Sequence, residues 1–313
     1  MFVKVIIKLI IQKTLLRKGF IMIELKYSKD LEAVSTFIAN MNMITQHHVG
    51  YCGINEEEVL HTLLNDFSDF PLEESLMIAY ENDKMIGFLG FDIDGNTRNA
   101  EIWGPFVNHD EWQQVSIMMW DKLVKQLPLS LNKAQGFYQI HNTNCISFMK
   151  RLGAINKGEH SILTITRSQL QRSSEANCDV AEMTSNEYNS FKLLHEVAFK
   201  HAYFTAEEII EKINNEHKVF VASSEGKLLG YVFCEANPNF SEGDIHFIAV
   251  TPHARNRGIG RQLLNESLKF LFSFHEINEI TLCVNRSNEA AISIYKKVGF
   301  EEQHQLVTYE LTI

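Results

Sequence analysis

No two of the five cysteines, Cys52, Cys145, Cys178, Cys234 and Cys283, stand as a C-x-x-C pair. An odd, widely spaced set supplies neither a disulfide framework nor a structural zinc site, and it suits the reducing cytoplasm. Basic charge is scarce too: 29 lysines and arginines face 39 acids, for a net charge of −10. An acidic body repels phosphate backbones, which excludes nucleic acid as the main partner. The apolar run at residues 1–21 is broken by Lys4, Lys8 and Lys13, too often for a secretory signal or a membrane span. That run holds five cations and no acid, leaving −15 on the remainder. Its spacing suits a basic amphipathic helix on a membrane surface. Nothing downstream calls for an anchor, so 1–21 is read as a dispensable extension ahead of a domain start at Met22. His47, His48 and Cys52 share one short loop with no fourth ligand at zinc-like spacing, so no metal is expected. Trp103, Trp112 and Trp120 read as core or interface filler.

What is present is ordinary globular composition, 45% hydrophobic and 22% charged, in a 313-residue chain long enough for two domains. Hydrophobic periodicity gives one order of elements twice. A strand precedes two helices, a tight hairpin follows, and a strand-helix-strand-helix-strand run closes the unit. A polar break around Ser173–Asn177 separates the two runs, which places a domain at 22–168, a linker at 169–178 and a second domain at 179–313. The repetition survives residue by residue. Lys84-Met85-Ile86-Gly87-Phe88 matches Lys227-Leu228-Leu229-Gly230-Tyr231, and Glu101 falls opposite Asp244 at the same offset. Further on, Asn142, Ile146, Ser147, Lys150 and Gly153 match Asn288, Ile292, Ser293, Lys296 and Gly299. This is a tandem duplication of one α/β unit.

The chemistry concentrates in Val250-Thr251-Pro252-His253-Ala254-Arg255-Asn256-Arg257-Gly258-Ile259-Gly260-Arg261. A β-rich run, Ile245–Val250, leads in, and helical spacing of Leu263, Leu264, Leu268 and Leu271 leads out. A glycine loop opening a helix presents unpaired N–H groups at the positive end of the dipole, and three arginines flank it here. That is a phosphate or pyrophosphate site. It lacks the Gly-Lys-Ser/Thr of a Walker loop and the spacing of G-x-G-x-x-G.

Pro252-x-x-Arg255-x-Arg257-Gly258-Ile259-Gly260, between strand and helix, resembles the acetyl-CoA pyrophosphate loop of the GNAT acyltransferase superfamily. Asn288-x-x-Ala291-x-x-x-Tyr295-x-x-x-Gly299-Phe300 is similar to a second motif of that family. The resemblance covers about residues 22–313, with strong motifs in the second half alone, and the two copies are similar to tandem GNAT proteins. It implies an α/β (α+β) fold: two tandem units, each a mixed, mostly antiparallel sheet flanked by helices. It also implies acetyl-CoA as co-substrate, held by Arg255, Arg257, Gly258, Ile259, Gly260, Arg261 and Asn288. Backbone groups at Ile248 and Val250 would bind the pantetheine arm and acetyl carbonyl. Tyr295 would stand near the sulfur as proton donor to the thiolate. Asp244, early in the strand before the loop, takes the place of the base, with His246 and Glu235 as competitors. Cys234 and Cys283 lie in apolar strands with no adjacent base, which argues against an acyl-cysteine.

Opposite the loop, the first half offers Phe106-Val107-Asn108-His109-Asp110-Glu111-Trp112, with no glycine or arginine and two acids. Met149 stands opposite Tyr295. A degenerate first copy is expected. The reading is an N-acetyltransferase that moves an acetyl group to a primary amine, small molecule or peptide, by direct attack in a ternary complex. Its rival is a non-catalytic acyl-CoA-binding or regulatory module, which needs the loop but neither Tyr295 nor a base.

Overall fold

Residues 23–127, 129–169, 179–200 and 202–313 are described in the computed structural model. The basic extension at 1–21, Met22, and all of the expected linker except Gln169 lie outside them. Contacts divide the chain into two compact units. One runs to Lys157 and takes in Val307–Ile313; the other is Gly158–Leu306.

The first unit opens with β1 (Ile23–Lys26), α1 (Leu31–Asn42) and α2 (Glu56–Asn65). Local chemistry sets both helix starts. Asp30 accepts from the Ala33 amide and Asn55 from the Glu57 and Glu58 amides, satisfying donors that a helix leaves open. A short turn of helix, α3 (Leu72–Ser75), leads into β2 (Leu76–Glu81) and β3 (Lys84–Asp94). The turn between them uses Asn82 and Asp83 at φ 50° and 62°, the left-handed pair a two-residue hairpin needs. Next come β4 (Asn99–Val107), α4 (Trp112–Gln126), β5 (Lys133–Gln139), α5 (Thr143–Arg151) and β6 (Ile155–Thr166). Strands β1 to β5 lie side by side in sequence order. All these pairings are antiparallel except β4 with β5. Phe88, Phe91, Trp120 and Phe148 fill the core between sheet and helices.

The second unit repeats the order: β7 (Asp179–Glu182), α6 (Tyr188–Ala198), α7 (Ala206–Lys212), β8 (His217–Ser224), β9 (Lys227–Asn237) and β10 (Glu242–Val250). It closes with α8 (Ile259–Leu271), β11 (Glu279–Asn285), α9 (Glu289–Val298) and β12 (Glu301–Leu311). Two cores sandwich its sheet. Leu263, Leu264, Leu268 and Leu271 of α8 pack on one face. Phe191 of α6 and Ile209 of α7 pack with Tyr231, Phe233 and Phe247 on the other.

The units do not follow the 22–168 and 179–313 division. β6 pairs antiparallel with β11 from His160↔Asn285 to Thr166↔Glu279, inside the second unit, and buries Leu163 and Ile165 in that unit's core. The end of β12 belongs to the first unit, whose core takes Val307 and Tyr309. Each unit therefore draws its closing strand from the other half of the sequence. Among the described residues, no helix is long and apolar enough to cross a membrane.

Candidate active site

β10 and β11 run parallel for three residue pairs, ending at Asp244↔Thr281. β10 meanwhile stays paired with β9 as far as Val250↔Gly230. Past Asp244 the two strands part, and the backbone groups of β10 on that side have no strand partner among the described residues. Ile248 and Val250 stand on this stretch. The Val250 carbonyl accepts the Nε–H of Arg255 at 3.2 Å, so Arg255 braces the loop against the strand end.

The chain then makes one tight turn, Pro252–Ala254, and enters α8 through Gly258 at φ 81°. Only glycine adopts that conformation without strain. No side chain caps α8, so the amides of its first turn point outward unpaired at the positive end of the dipole. Ile259 anchors the turn by burying its side chain in the core. Gly260 differs from Gly258. Its backbone is helical, and a Cβ there would meet nothing nearer than Ile294 and Val250 at 3.8 Å. The fold has room for alanine, which would favour the helix by about 1 kcal/mol. Packing alone does not call for a glycine here. Arg255, Arg257 and Arg261 are exposed, with no carboxylate paired to any of them among the described residues.

α9 lies against α8, through Ile294. Asn288 caps it by accepting from the Ala291 amide at 3.2 Å, and Gly299 ends it at φ 119°. Tyr295 is 7% exposed and packs edge-on against Phe300. Burial first, then neighbouring Cys283, raises its phenol above the ordinary value. Its hydroxyl has no hydrogen-bond partner among the described residues. Cys283 stands on β11 past the point where the strands part. Solvent reaches its side chain, yet the crowded cleft pushes the thiol up to about 11. Cys234 is buried and its thiol is raised further. Neither is a thiolate near neutral pH.

On the opposite face of β10 a second cluster forms around a bulge. The register with β9 jumps between Ile245 and Phe247, so His246 is an extra residue and joins Phe247 on the face toward α6 and α7. His246 Nε2 meets Glu235 Oε2 at 2.9 Å, and Nδ1 meets the Tyr203 hydroxyl at 2.9 Å. His217 Nε2 reaches the same Glu235 oxygen at 3.3 Å. The hydrogen bond to His246 lowers the Glu235 carboxyl below its ordinary value despite burial, with help from His217 and Lys212. Asp244 stands close enough to raise the Tyr203 phenol, after burial of that end of the ring. Sequence motifs singled out Asp244, His246 and Glu235. They missed Tyr203 and His217, which come from the α6–α7 loop and β8 and carry no motif signal.

The first unit treats the equivalent places differently. β4 and β5 also part after three parallel pairs, ending at Glu101↔Gln135. Tyr138, fully buried, fills the gap and donates its hydroxyl to the Gly104 carbonyl at 3.1 Å. The Cys145 thiol bonds the Pro105 carbonyl at 3.4 Å. Where the second unit has its loop, His109 bonds Glu81 at 3.1 Å and accepts the Glu111 amide at 3.0 Å. Glu81, Asp110 and Glu111 line the adjoining cavity. Nearby, His48 Nδ1 bonds the Asn42 carbonyl at 3.0 Å, and Cys52 is buried with its thiol raised.

Residues 183–300 match the acetyltransferase (GNAT) family. An N-alpha-acetyltransferase from Sulfurisphaera tokodaii is 34% identical over 117 residues, which are 34% of this chain and 68% of that protein. A mycothiol acetyltransferase from Tsukamurella paurometabola is 33% identical over 87 residues, covering 28% of this chain and only 30% of the relative. Among solved structures, a GCN5-related N-acetyltransferase from Sphaerobacter thermophilus aligns at a TM-score of 0.70 and 17% identity, over 93% of this chain and 95% of its own. A tandem GNAT protein from the clavulanic acid biosynthesis pathway aligns at 0.60 and 13%, over 93% and 98%. The fold, the uncapped glycine turn and these relatives agree: the chain belongs to the GNAT family of acetyltransferases, with the fold in tandem.

Proposed function

We propose that the second unit moves an acetyl group from acetyl-CoA to a primary amine by direct attack within a ternary complex. Gly260 carries the reading: a helical glycine the fold does not need, at an uncapped helix start among three arginines with no carboxylate partner among the described residues. The amides of Gly258, Ile259, Gly260 and Arg261, with Arg255 and Arg257, cradle the pyrophosphate. The pantetheine arm follows the open edge of β10 at Ile248 and Val250, and Asn288 contacts the cofactor. Tyr295 donates to the sulfur as it leaves. Asp244, the base expected from the sequence, supplies the negative charge that draws in an ammonium. The first unit binds no acetyl-CoA, because Tyr138 fills its cleft and acids replace its arginines. The relatives named above act on different acceptors, and the amine is left open between small molecule and peptide.

Thiol release from acetyl-CoA with a panel of primary amines tests the transfer. Calorimetry with acetyl-CoA tests the asymmetry. One site per chain is expected, and two equivalent sites would refute the closed first unit.

A further inference from the structure

We propose that Tyr203, His246 and Glu235 form the path by which the acceptor ammonium loses its proton, with Tyr203 the residue that touches the amine. The inference deepens the transfer reading above and rests on it. It starts from hydrogen-bond polarity. The Glu235 carboxylate has no proton to give, so the contact at 2.9 Å requires the hydrogen on His246 Nε2. In the neutral imidazole Nδ1 is then a bare acceptor, and the Tyr203 hydroxyl donates to it at 2.9 Å. Every hydrogen in the chain points one way, from the cleft toward Glu235. The Tyr203 oxygen keeps its lone pairs for an incoming N–H.

The bulge and a buried anchor hold this chain in place. The bulge puts Phe247 on the same face as His246, toward α6 and α7, where regular alternation from Ile245 would have sent it to the α8 face, so the two rings stand side by side under Tyr203. His195, buried beneath the α6–α7 loop, bonds the Tyr231 hydroxyl on one side and the Phe204 carbonyl at 2.9 Å on the other. That pins the residue next to Tyr203. Tyr203 itself is 63% exposed, so an incoming amine can reach it. The groups facing the relay are Glu235 on β9, His217 on β8, Asp244 on β10, Cys283 on β11 and Lys212 at the end of α7.

As the ammonium settles, its proton passes to the Tyr203 oxygen while the Tyr203 proton passes to His246 Nδ1. An imidazolium paired with Glu235 results, and it later releases its proton to solvent. The neutral amine attacks the thioester carbonyl. The C–N bond forms and the C–S bond breaks with its electron pair on sulfur; Tyr295 protonates that sulfur and regains a proton from the nitrogen, leaving amide and free thiol. No tyrosinate is required, because tyrosine gives and takes a proton together. Asp244 remains the counter-charge of the ammonium.

Thiol release from acetyl-CoA tests the relay, with benzylamine and a peptide bearing a free amino terminus as acceptors. Tyr203→Phe and His246→Ala should each lower kcat about 100-fold at neutral pH with the acetyl-CoA KM unchanged. Both deficits should close as pH rises toward the amine's own pKa, and added imidazole should restore His246→Ala. Asp244→Asn should raise the acceptor KM and spare kcat. In the free protein, at a pH where the ring is neutral, nitrogen NMR should find the His246 hydrogen on Nε2. A deficit that is independent of pH and deaf to imidazole would show a structural role and overturn the relay. So would loss of kcat in Asp244→Asn with Tyr203→Phe fully active. Wild-type protein that acetylates neither amine would overturn the transfer reading itself, and the relay with it.

Discussion

The two units carry the same parting of strands, and only one leaves it open. β10 leaves β11 after Asp244, and β4 leaves β5 after Glu101, each after three parallel pairs. In the second unit the freed edge of β10 faces a cleft, and the loop beyond it ends in an uncapped helix whose arginines have no carboxylate partner among the described residues. In the first, a tyrosine and a cysteine satisfy the freed carbonyls of Gly104 and Pro105 from inside the protein. A parted pair of strands leaves backbone polar groups that must find partners. A ligand can supply them from outside, or side chains from within. The fold accepts both solutions, so architecture alone does not identify a working site.

The sharpest way to break this comparison is to remove the plug. Tyr138→Ala should destabilise the first unit by about 3–5 kcal/mol, since it empties a fully buried aromatic site and orphans the Gly104 carbonyl. Thermal and urea unfolding measure it. Opening the cleft should not create an acetyl-CoA site, because Glu81, Asp110 and Glu111 still face the place where pyrophosphate would lie. Acetyl-CoA binding by the variant at a second site would show that the plug alone had closed it.

The open cleft is tested by its glycine. Gly260→Ala should weaken acetyl-CoA about 100-fold, from lost backbone contacts to phosphate worth roughly 3 kcal/mol. Its melting temperature should hold or rise, because the nearest atoms to a Cβ are at 3.8 Å and alanine favours the helix. Calorimetry and melting together decide it. Weaker binding with a lower melting temperature would mean that packing, not the ligand, requires glycine.

Much of this was legible in the sequence, for reasons that mark the limits of reading it. Gly258 and Gly260 in their arginine frame, and the helix from Asn288 to Gly299, are local patterns whose geometry follows from neighbours in the chain. Periodicity found the elements of both units. It could not show that β6 completes the sheet of the second unit, because strand partners far apart in sequence leave no mark on periodicity. Tyr138 read as one more apolar strand residue, and its role depends on a gap that tertiary structure creates. The bulge at His246 was invisible too, since a single extra residue reverses the facing of a strand without changing its composition.

Tyr295 sharpens the comparison with Met149, its counterpart, which is fully buried in the first unit. Tyr295→Phe should lower kcat by about 10- to 100-fold, the range for losing a positioned proton donor, and leave the acetyl-CoA KM near wild type. Burial raises the Tyr295 phenol, so the donor form persists to higher pH than in an ordinary tyrosine. Wild-type activity should therefore show no alkaline loss from this group around pH 10. An alkaline limb near pH 10 that vanishes in Tyr295→Phe would show a solvated phenol instead.

The smallest effect concerns the acids that stand opposite each other in the repeat. Glu101 occupies the place of Asp244, and desolvation, then Asp92 across the strand pair, pushes its carboxyl to about 7. A raised carboxyl binds a proton in the folded state that the unfolded chain releases at lower pH. The folded form is therefore favoured below the ordinary glutamate value, and that advantage is lost as pH rises from about 4.5 to about 7. Solvent reaches the Glu101 side chain, which limits the effect to about 1 kcal/mol or less. Glu101→Gln should raise the melting temperature at pH 8 and leave it unchanged at pH 4, with acetyl transfer unaffected at both. If Glu101→Gln instead slows transfer, the acid of the first unit takes part in the chemistry, and the division into one working and one closed unit fails.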